Sequence, residues 1–282
     1  VTATLGEVVA ALEARYDPAL AEGWDAVGLV CGDPADPVDR VLVAVDPVAA
    51  VVDEAVETGA GLLVTHHPLF LTAVHGVPAD DPKGRLVHRL VRAGCGLFVA
   101  HTNADRAAGV GVNDALAAVL GLTGTRPLQP AAPGSREGLG RVGELAEPTT
   151  LAAFAAHAAA VLPATEVGVR AAGDPGRPVR TVAVCGGSGG SLLPEAAAAG
   201  ADVFLTSDLR HHPVSESQEV SGPALCDVTH FASEWPWVPV VADVLTADLS
   251  GRVAASASRV RTDPWTVHRG RSTAEDPAGR AG

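Results

Sequence analysis

The chain has no methionine, a single tyrosine, and aromatic residues at only 4% of its 282 positions. Its core is therefore aliphatic, built from Ala, Val and Leu within a 47% hydrophobic composition. With methionine absent, the initiator is missing or replaced by Val1. No apolar run reaches the roughly 20 residues of a membrane span, and no signal-peptide pattern opens the chain. No block of Lys or Arg interrupts a formal net charge of −13, which argues against a nucleic-acid-binding surface. Cysteine is scarce: Cys31, Cys95, Cys185 and Cys226 are widely spaced, show no C-x-x-C, and sit in or beside apolar runs. They read as reduced core residues of a cytoplasmic protein and exclude a disulfide or zinc framework.

What is present is an alternation of helical and strand-like patterns. TLGEVVAALEAR, from Thr4, is an amphipathic helix with Thr4 as its cap. RVLVAVD, GLLVT and GLFVA read as strands, and VAAVVDEAVETG, GRLVHRLVRAG and GVNDALAAVLG as helices. Continuous apolar strands between helices indicate an α/β fold with a parallel sheet covered on both faces. RPLQPAAPGSREG, rich in Pro and Gly, reads as a domain crossing or long loop. The polar stretch from Val267 reads as a flexible tail.

The second alternation echoes the first. VLVAVDPVAAVVDEAVETGAGLLVTHH, from Val41, aligns without a gap on VAVCGGSGGSLLPEAAAAGADVFLTSD, from Val182, an offset of 141 residues. Gly59 falls on Gly200 and Thr65 on Thr206, and both copies read strand, turn, helix, Gly-Ala, strand, Thr. A second echo pairs His101 and Asp105 after GLFVA with His230 and Glu234 after ALCDVT. Together these read as an internal duplication.

GLLVTHHPLF places His66 and His67 side by side where an apolar run stops at Pro68. Within a strand, neighbours face opposite ways; at a strand end both can be aimed at one point. His66, His67, His101, Asp105, His230 and Glu234 all fall at such ends, and open α/β sheets bind ligands outside the carboxyl ends of their strands. Bunched imidazoles and carboxylates call for a counter-charge. Mixed His and carboxylate donors suit Zn, Mn, Fe, Ni or Co better than Ca or Mg. Five or six donors exceed one structural zinc and point to two divalent metal ions per chain, bridged by an acidic residue and able to activate a shared water.

Here the chain resembles the GTP cyclohydrolase I type 2 homologs, also called NIF-three-like proteins, over roughly residues 4 to 265. The matching signatures are WDAVGLVCGDP, LLVTHHPLF, HTNAD followed by GVNDAL, GLGRVGEL, VAVCGGSG, GADVFLTSDLRHH and THFASE. The resemblance implies two related α/β domains with a dinuclear metal centre, its ligands being His66, His67, Asp105, His230 and Glu234. It divides the chain into a discontinuous first domain (1–125 plus 222–266), a second (126–221) and the tail (267–282). It also implies a ring, commonly a hexamer, with the metal sites facing an inner cavity. Ala26 departs from the family, which often has Asn after the Trp-Asp pair. His101 is placed as a ligand, an outer partner of the metal site or a proton shuttle, and His212, in SDLRHHP, at the cavity rim as a proton donor or substrate contact.

Two glycine motifs invite other readings. GLGRVG, from Gly138, is a literal G-x-G-x-x-G but lacks the flanking strand and helix of a dinucleotide site, and reads as a turn into a short strand. TVAVCGGSGGSLLPEA does run strand, glycine loop, helix, so its amides near Ser188 could cradle an anion; without a P-loop Lys it does not read as a nucleoside-triphosphate hydrolase. Two functional classes follow. One is a metal-dependent hydrolase of a small, nucleotide-like or anionic substrate, with His101 or His212 moving the proton. The other is a non-catalytic metal-binding or protein-interaction scaffold that forms a ring.

Overall fold

The computed structural model describes residues 2–220 and 222–269. The first part of the chain forms β1 (Ala3–Thr4), α1 (Leu5–Arg15), β2 (Gly28–Cys31), β3 (Pro37–Val38), β4 (Arg40–Ala44), α2 (Ala49–Glu57), β5 (Leu62–Thr65), α3 (Pro82–Arg92), β6 (Gly96–Val99), α4 (Thr102–Arg106) and α5 (Val112–Val119). It continues with β7 (Thr123–Pro130), β8 (Gly138–Thr150), α6 (Leu151–Val161), β9 (Val169–Ala172), β10 (Pro178–Val184), α7 (Leu193–Ala198), β11 (Val203–Ser207) and α8 (His211–Glu219). It ends with β12 (Ala224–Val228), α9 (His230–Glu234), α10 (Trp237–Asp248) and β13 (Ala254–Ala257). No helix among the described residues is long and apolar enough to cross a membrane, and all four cysteines are free.

Local chemistry sets these elements. Helix α1 opens on a capping box, in which Thr4 Oγ1 accepts from Glu7 N and Glu7 Oε2 from Thr4 N. It buries Leu5, Val8 and Leu12 at helical spacing. Helix α3 starts with Pro82 behind the Asp81 cap. All residues of β5, β6, β11 and β12 are buried, as expected of strands covered on both faces.

Two main sheets result. The five-stranded sheet has the order β13-β4-β5-β6-β2, parallel except for β2 at its edge. Its period-2 alternation sends Val41, Val43, Leu62, Val64 and Phe98 into one core with α1 and α10. It sends Leu42, Leu63 and Leu97 into another core with α2 and α3. The six-stranded sheet has the order β7-β8-β10-β11-β12-β9; only β10, β11 and β12 run parallel, and the other pairings are antiparallel. Helix α5 gives Val112 and Ala115 to the first core and Leu116 and Ala117 to the core of the second sheet. One helix thus ties the two layers together.

Three sequence readings change. RPLQPAAPGSREG is neither a crossing nor a long loop: it forms the end of β7, a short turn and the approach to β8, an antiparallel hairpin. GLGRVG opens a strand of 13 residues, not a short one. A Cβ at Gly138 would stand 2.2 Å from Gln129 O, so glycine there serves close strand pairing. The boundary expected at residue 222 shifts, because β12 pairs with β11 and β9 in the six-stranded sheet; the chain leaves that sheet only after Val228. Of the expected tail, residues 270–282 lie outside the described residues, and residues 267–269 form neither helix nor strand.

Candidate metal centre

The two histidines of THHP leave β5 together. His66 N still bonds Ala44 O (3.2 Å) and His67 N bonds Val45 O (2.9 Å), which extends the ladder with the β4 side by two residues. Thr65 Oγ1 then donates to His67 O and turns the chain. The two rings lie 5.1 Å apart, tilted by 44°. His101 occupies the N-cap position of α4, which carries Asp105, and makes no side-chain cap bond there. His230 opens α9, and Glu234 lies one turn on, so that both project from one helix face.

These side chains converge. Glu234 Oε1 lies 2.9 Å from His230 Nε2 and 3.5 Å from His66 Nε2. Its Oε2 lies 3.2 Å from His67 Nε2. Asp105 Oδ1 is 3.7 Å from His66 Nε2. His101 joins from the far side, its ring 5.2 Å from His66 and 5.6 Å from His67. Two trios have their ligand atoms within 4.8 Å of one another: His66, His67 and His101, and His67, His230 and Glu234.

Every imidazole is held from behind. His66 Nδ1 bonds Ala100 O at 2.9 Å. His67 Nδ1 meets Asp46 (2.7 Å), His101 Nδ1 meets Asp25 (2.8 Å), and His230 Nδ1 meets Asp208 (2.7 Å). An acceptor at Nδ1 fixes the tautomer that leaves the Nε2 lone pair free, as metal-binding histidines require. His66 Nε2, Asp105 Oδ1 and Glu234 Oε2 are buried without a hydrogen-bond partner. Three orphaned polar atoms in one spot would be costly in a closed protein interior; a cation there satisfies all three. The donor set of imidazole nitrogens and carboxylate oxygens fits a divalent transition metal.

The electrostatics agree with such a site. Burial opposes a charged His67, yet Glu234 and Asp46 outweigh it and raise its pKa to about 11. His230 is raised to about 9, where bonds to Glu234 and Asp208 overcome burial. Glu234 is fully buried and still held well below the usual carboxylate range by His67 and His66. Burial pushes Asp105 up to about 6. His101 is lowered, by burial and by the charge of His66.

Several residues that frame the site carried no assigned role in the sequence reading. Asp46 ends the RVLVAVD strand and Asp25 follows Trp24, and neither position announces the histidine it will meet. Asn113 is fully buried; it donates to Asp105 O and accepts from Gly186 N, both at 2.9 Å. It thus clasps the two sides of the site. Its neighbour Asp114 receives buried Arg141 in a bidentate pair, and Arg141 spends its remaining donors on the carbonyls of Ala107, Gly138 and Gly140. The GVNDAL and GLGRVG signatures are therefore fasteners between α5 and β8.

The glycine loop after β10 packs directly on Glu234 and His230. A Cβ at Gly187 would lie 2.6 Å from Glu234 Oε1 and 3.1 Å from His230 Nε2. Three of the loop's amides are taken by the protein itself. The N–H groups of Gly186, Gly187 and Gly189 donate to Asn113, Ser233 and Thr206. His212 is not part of the cluster: it is exposed on α8, and its recorded ring neighbour is His211 at 5.2 Å. A wide apolar hollow of about 580 Å³ lies behind α9, lined by Phe231, Trp235 and Pro239 among others, and none of the cluster residues lines it.

Residues 3–264 match the family model described as Duf34/NIF3 (NGG1p interacting factor 3). A Streptomyces coelicolor protein named GTP cyclohydrolase 1 type 2 homolog is 53% identical over 94% of each chain. A Mycobacterium tuberculosis protein of the same name is 36% identical over 93% of this chain and 97% of its own. The fold is similar to that of a Bacillus cereus protein related to NIF3, with a TM-score of 0.86 and 25% identity over 95% of this chain and 99% of the other. The chain belongs to the Duf34/NIF3 family.

Proposed function

From that membership and the geometry, we propose that the chain binds two divalent metal ions and is a metal-dependent hydrolase of a small substrate. The observation that carries the reading is the set of orphaned atoms, His66 Nε2, Asp105 Oδ1 and Glu234 Oε2, facing the Nε2 atoms of His67 and His230. His66, His67, Asp105, His230 and Glu234 would hold the ions, with Glu234 between the two positions. Bound divalent ions supply Lewis acidity and lower the pKa of a coordinated water. The chain contributes His101, which its surroundings keep neutral and Asp25 orients through Nδ1; it is suited to take a proton at Nε2. The relatives' name points to a purine nucleotide, and a small anionic or nucleotide-like substrate follows from it.

The finer reading of the fold belongs to the same proposal: two related α/β domains, copies of one unit, with the metal site between them. Supporting it, Val41 pairs with Leu62 and Val182 with Val203, the same register at the same offset of 141 residues. Closed assembly as a ring, commonly a hexamer, would turn the site toward an inner cavity.

Elemental analysis of protein purified without chelator tests the metal content, with about two ions per chain expected from the donor count. A value near zero after metal supplementation would sink the reading. Turnover on nucleotides, phosphoesters and cyclic amides separates hydrolase from scaffold. Activity that disappears in His67→Ala while the assembly stays intact supports the hydrolase; a metal-loaded protein inactive on every class supports the scaffold.

A further inference from the structure

The four histidines are not held alike. Asp46, Asp25 and Asp208 stand behind His67, His101 and His230, whereas His66 has only the carbonyl of Ala100. We propose that the two metal positions are unequal and fill in order. The position between His67 and His230 fills first, because Asp46 and Asp208 back both of its imidazoles, and the position at His66 and Asp105 fills second. This rests on the two-metal reading above.

Three observations carry it. First, a carboxylate that accepts Nδ1–H fixes the tautomer and also raises the basicity of Nε2, while a carbonyl adds no charge. Both histidines of the first position have that backing, and the histidine of the second does not. His101, nearly equidistant from His66 and His67, does not favour either. Second, His67, His230 and Glu234 already stand with their ligand atoms within 4.8 Å of one another. Among the described residues His66 joins such a trio only with His67 and His101, and Asp105 joins none, so a second position held by His66 and Asp105 must draw Asp105 in, which costs affinity. Third, the first position is the richer in nitrogen, which favours the later first-row metals, and the second is the richer in oxygen.

Asp208 makes the inference testable with little disturbance. Its backbone lies in the left-handed region at φ 57°, which Asp and Asn both tolerate. Asp208→Asn therefore keeps the backbone and an acceptor oxygen and removes the charge alone. Asp46→Asn does the same for His67, where Asp46 also accepts from Thr262.

The experiment is titration of the chelator-stripped full chain with Co²⁺, followed by visible absorption and by ion content after dialysis, with circular dichroism to verify the fold. The wild type is expected to show two separable steps. Asp208→Asn and Asp46→Asn should each weaken the first step by about 10- to 100-fold, and Asp105→Asn should remove the second step and spare the first. Steps in Asp208→Asn and Asp46→Asn that match the wild type, or a weakened first step in Asp105→Asn, would overturn the order. Uptake of a single equivalent by the wild type would instead sink the two-metal reading. If Asp208→Asn then weakens that one equivalent, the carboxylate-backed position survives as the site; if it does not, that assignment falls as well.

Discussion

The strand ends of the five-stranded sheet and those of the six-stranded sheet occupy matching places and carry different chemistry. After β4, β5 and β6 come Asp46, His66 with His67, and His101 with Asp105. At the ends of β10, β11 and β12 stand Gly186 with Gly187, Ser207 with Asp208, and Thr229 with His230 and Glu234. The register Val41–Leu62 and Val182–Val203 makes Ser207 and Asp208 the counterparts of His66 and His67. One side therefore supplies most of the imidazoles. The other supplies space, through Gly187, which could bear no Cβ against Glu234 and His230, together with the carboxylate of Glu234. Asp208 sits where the first side has His67 and instead bonds His230, a histidine of its own side. Similar backbones thus divide the labour of one site, and the division lies in side-chain volume and charge.

The comparison can be broken most strongly with pH. His67 and His230 hold protons up to about 11 and about 9, and a metal needs both Nε2 lone pairs. Each displaced proton changes the apparent affinity by about tenfold per pH unit. Affinity for the first metal should thus rise roughly a hundredfold per unit between about pH 6 and about pH 8, read by competition with a chelator. A pH-independent affinity would contradict the assignment. In the metal-free protein the sign is opposite. The raised pKa values of these two imidazoles stabilise the fold below their ordinary 6.5, and that stability is lost as pH climbs through about 9 and about 11. Denaturant titration of stripped protein across that range reads the loss.

Removing the shared carboxylate comes next. Glu234→Gln should weaken uptake of both equivalents by more than the 10- to 100-fold of an outer carboxylate, whereas Asp105→Asn should cost one. Equal losses in the two variants would erase the distinction between a bridging and a terminal carboxylate.

The smallest effects sharpen the comparison. Gly59 and Gly200, offset by the same 141 residues, have φ of 68° and 71° with nothing within 4 Å of an added Cβ. Gly59→Ala and Gly200→Ala should each cost about 1–2 kcal/mol, or roughly 2–4 °C of melting temperature per kcal/mol, and leave metal uptake unchanged. Gly187→Ala meets the same strain at φ 66° and adds a contact at 2.6 Å to Glu234. It should melt lower than either control and bind metal more weakly. Calorimetry and metal titration of the three variants side by side check this.

The second echo shows where reading by eye slips. His101 with Asp105 and His230 with Glu234 share a spacing, yet the strands before them pair at a different offset: Leu62 with Gly96, and Val203 with Ala224. His101 is the N-cap residue of α4, while the N-cap residue of α9 is Thr229 and His230 is its first residue. The two pairs are thus one residue out of step. On a helix that shift is a rotation of about 100°, which aims the second pair at the cluster from another angle. Spacing in the sequence could not reveal it, because the offset depends on where each helix begins.

Periodicity, apolar run length and glycine punctuation determined the α/β class, the buried strands and the places where they stop, since burial on both faces and chain reversal are local demands on composition. The polar residues left at those stops gave the cluster His66, His67, His101, Asp105, His230 and Glu234. Tertiary structure alone decided which carboxylate stands behind which imidazole. Asp46 and His67 are 21 residues apart, and Asp25 and His101 are 76 apart. Such pairs form only when separate strand ends are brought together by packing. Tertiary structure also decided that the glycine loop yields room beside Glu234, and that the amides of Gly186, Gly187 and Gly189 are claimed by Asn113, Ser233 and Thr206. A hydrogen bond is directional and short, so its partner is fixed by the position of distant chain in space, which no local pattern encodes.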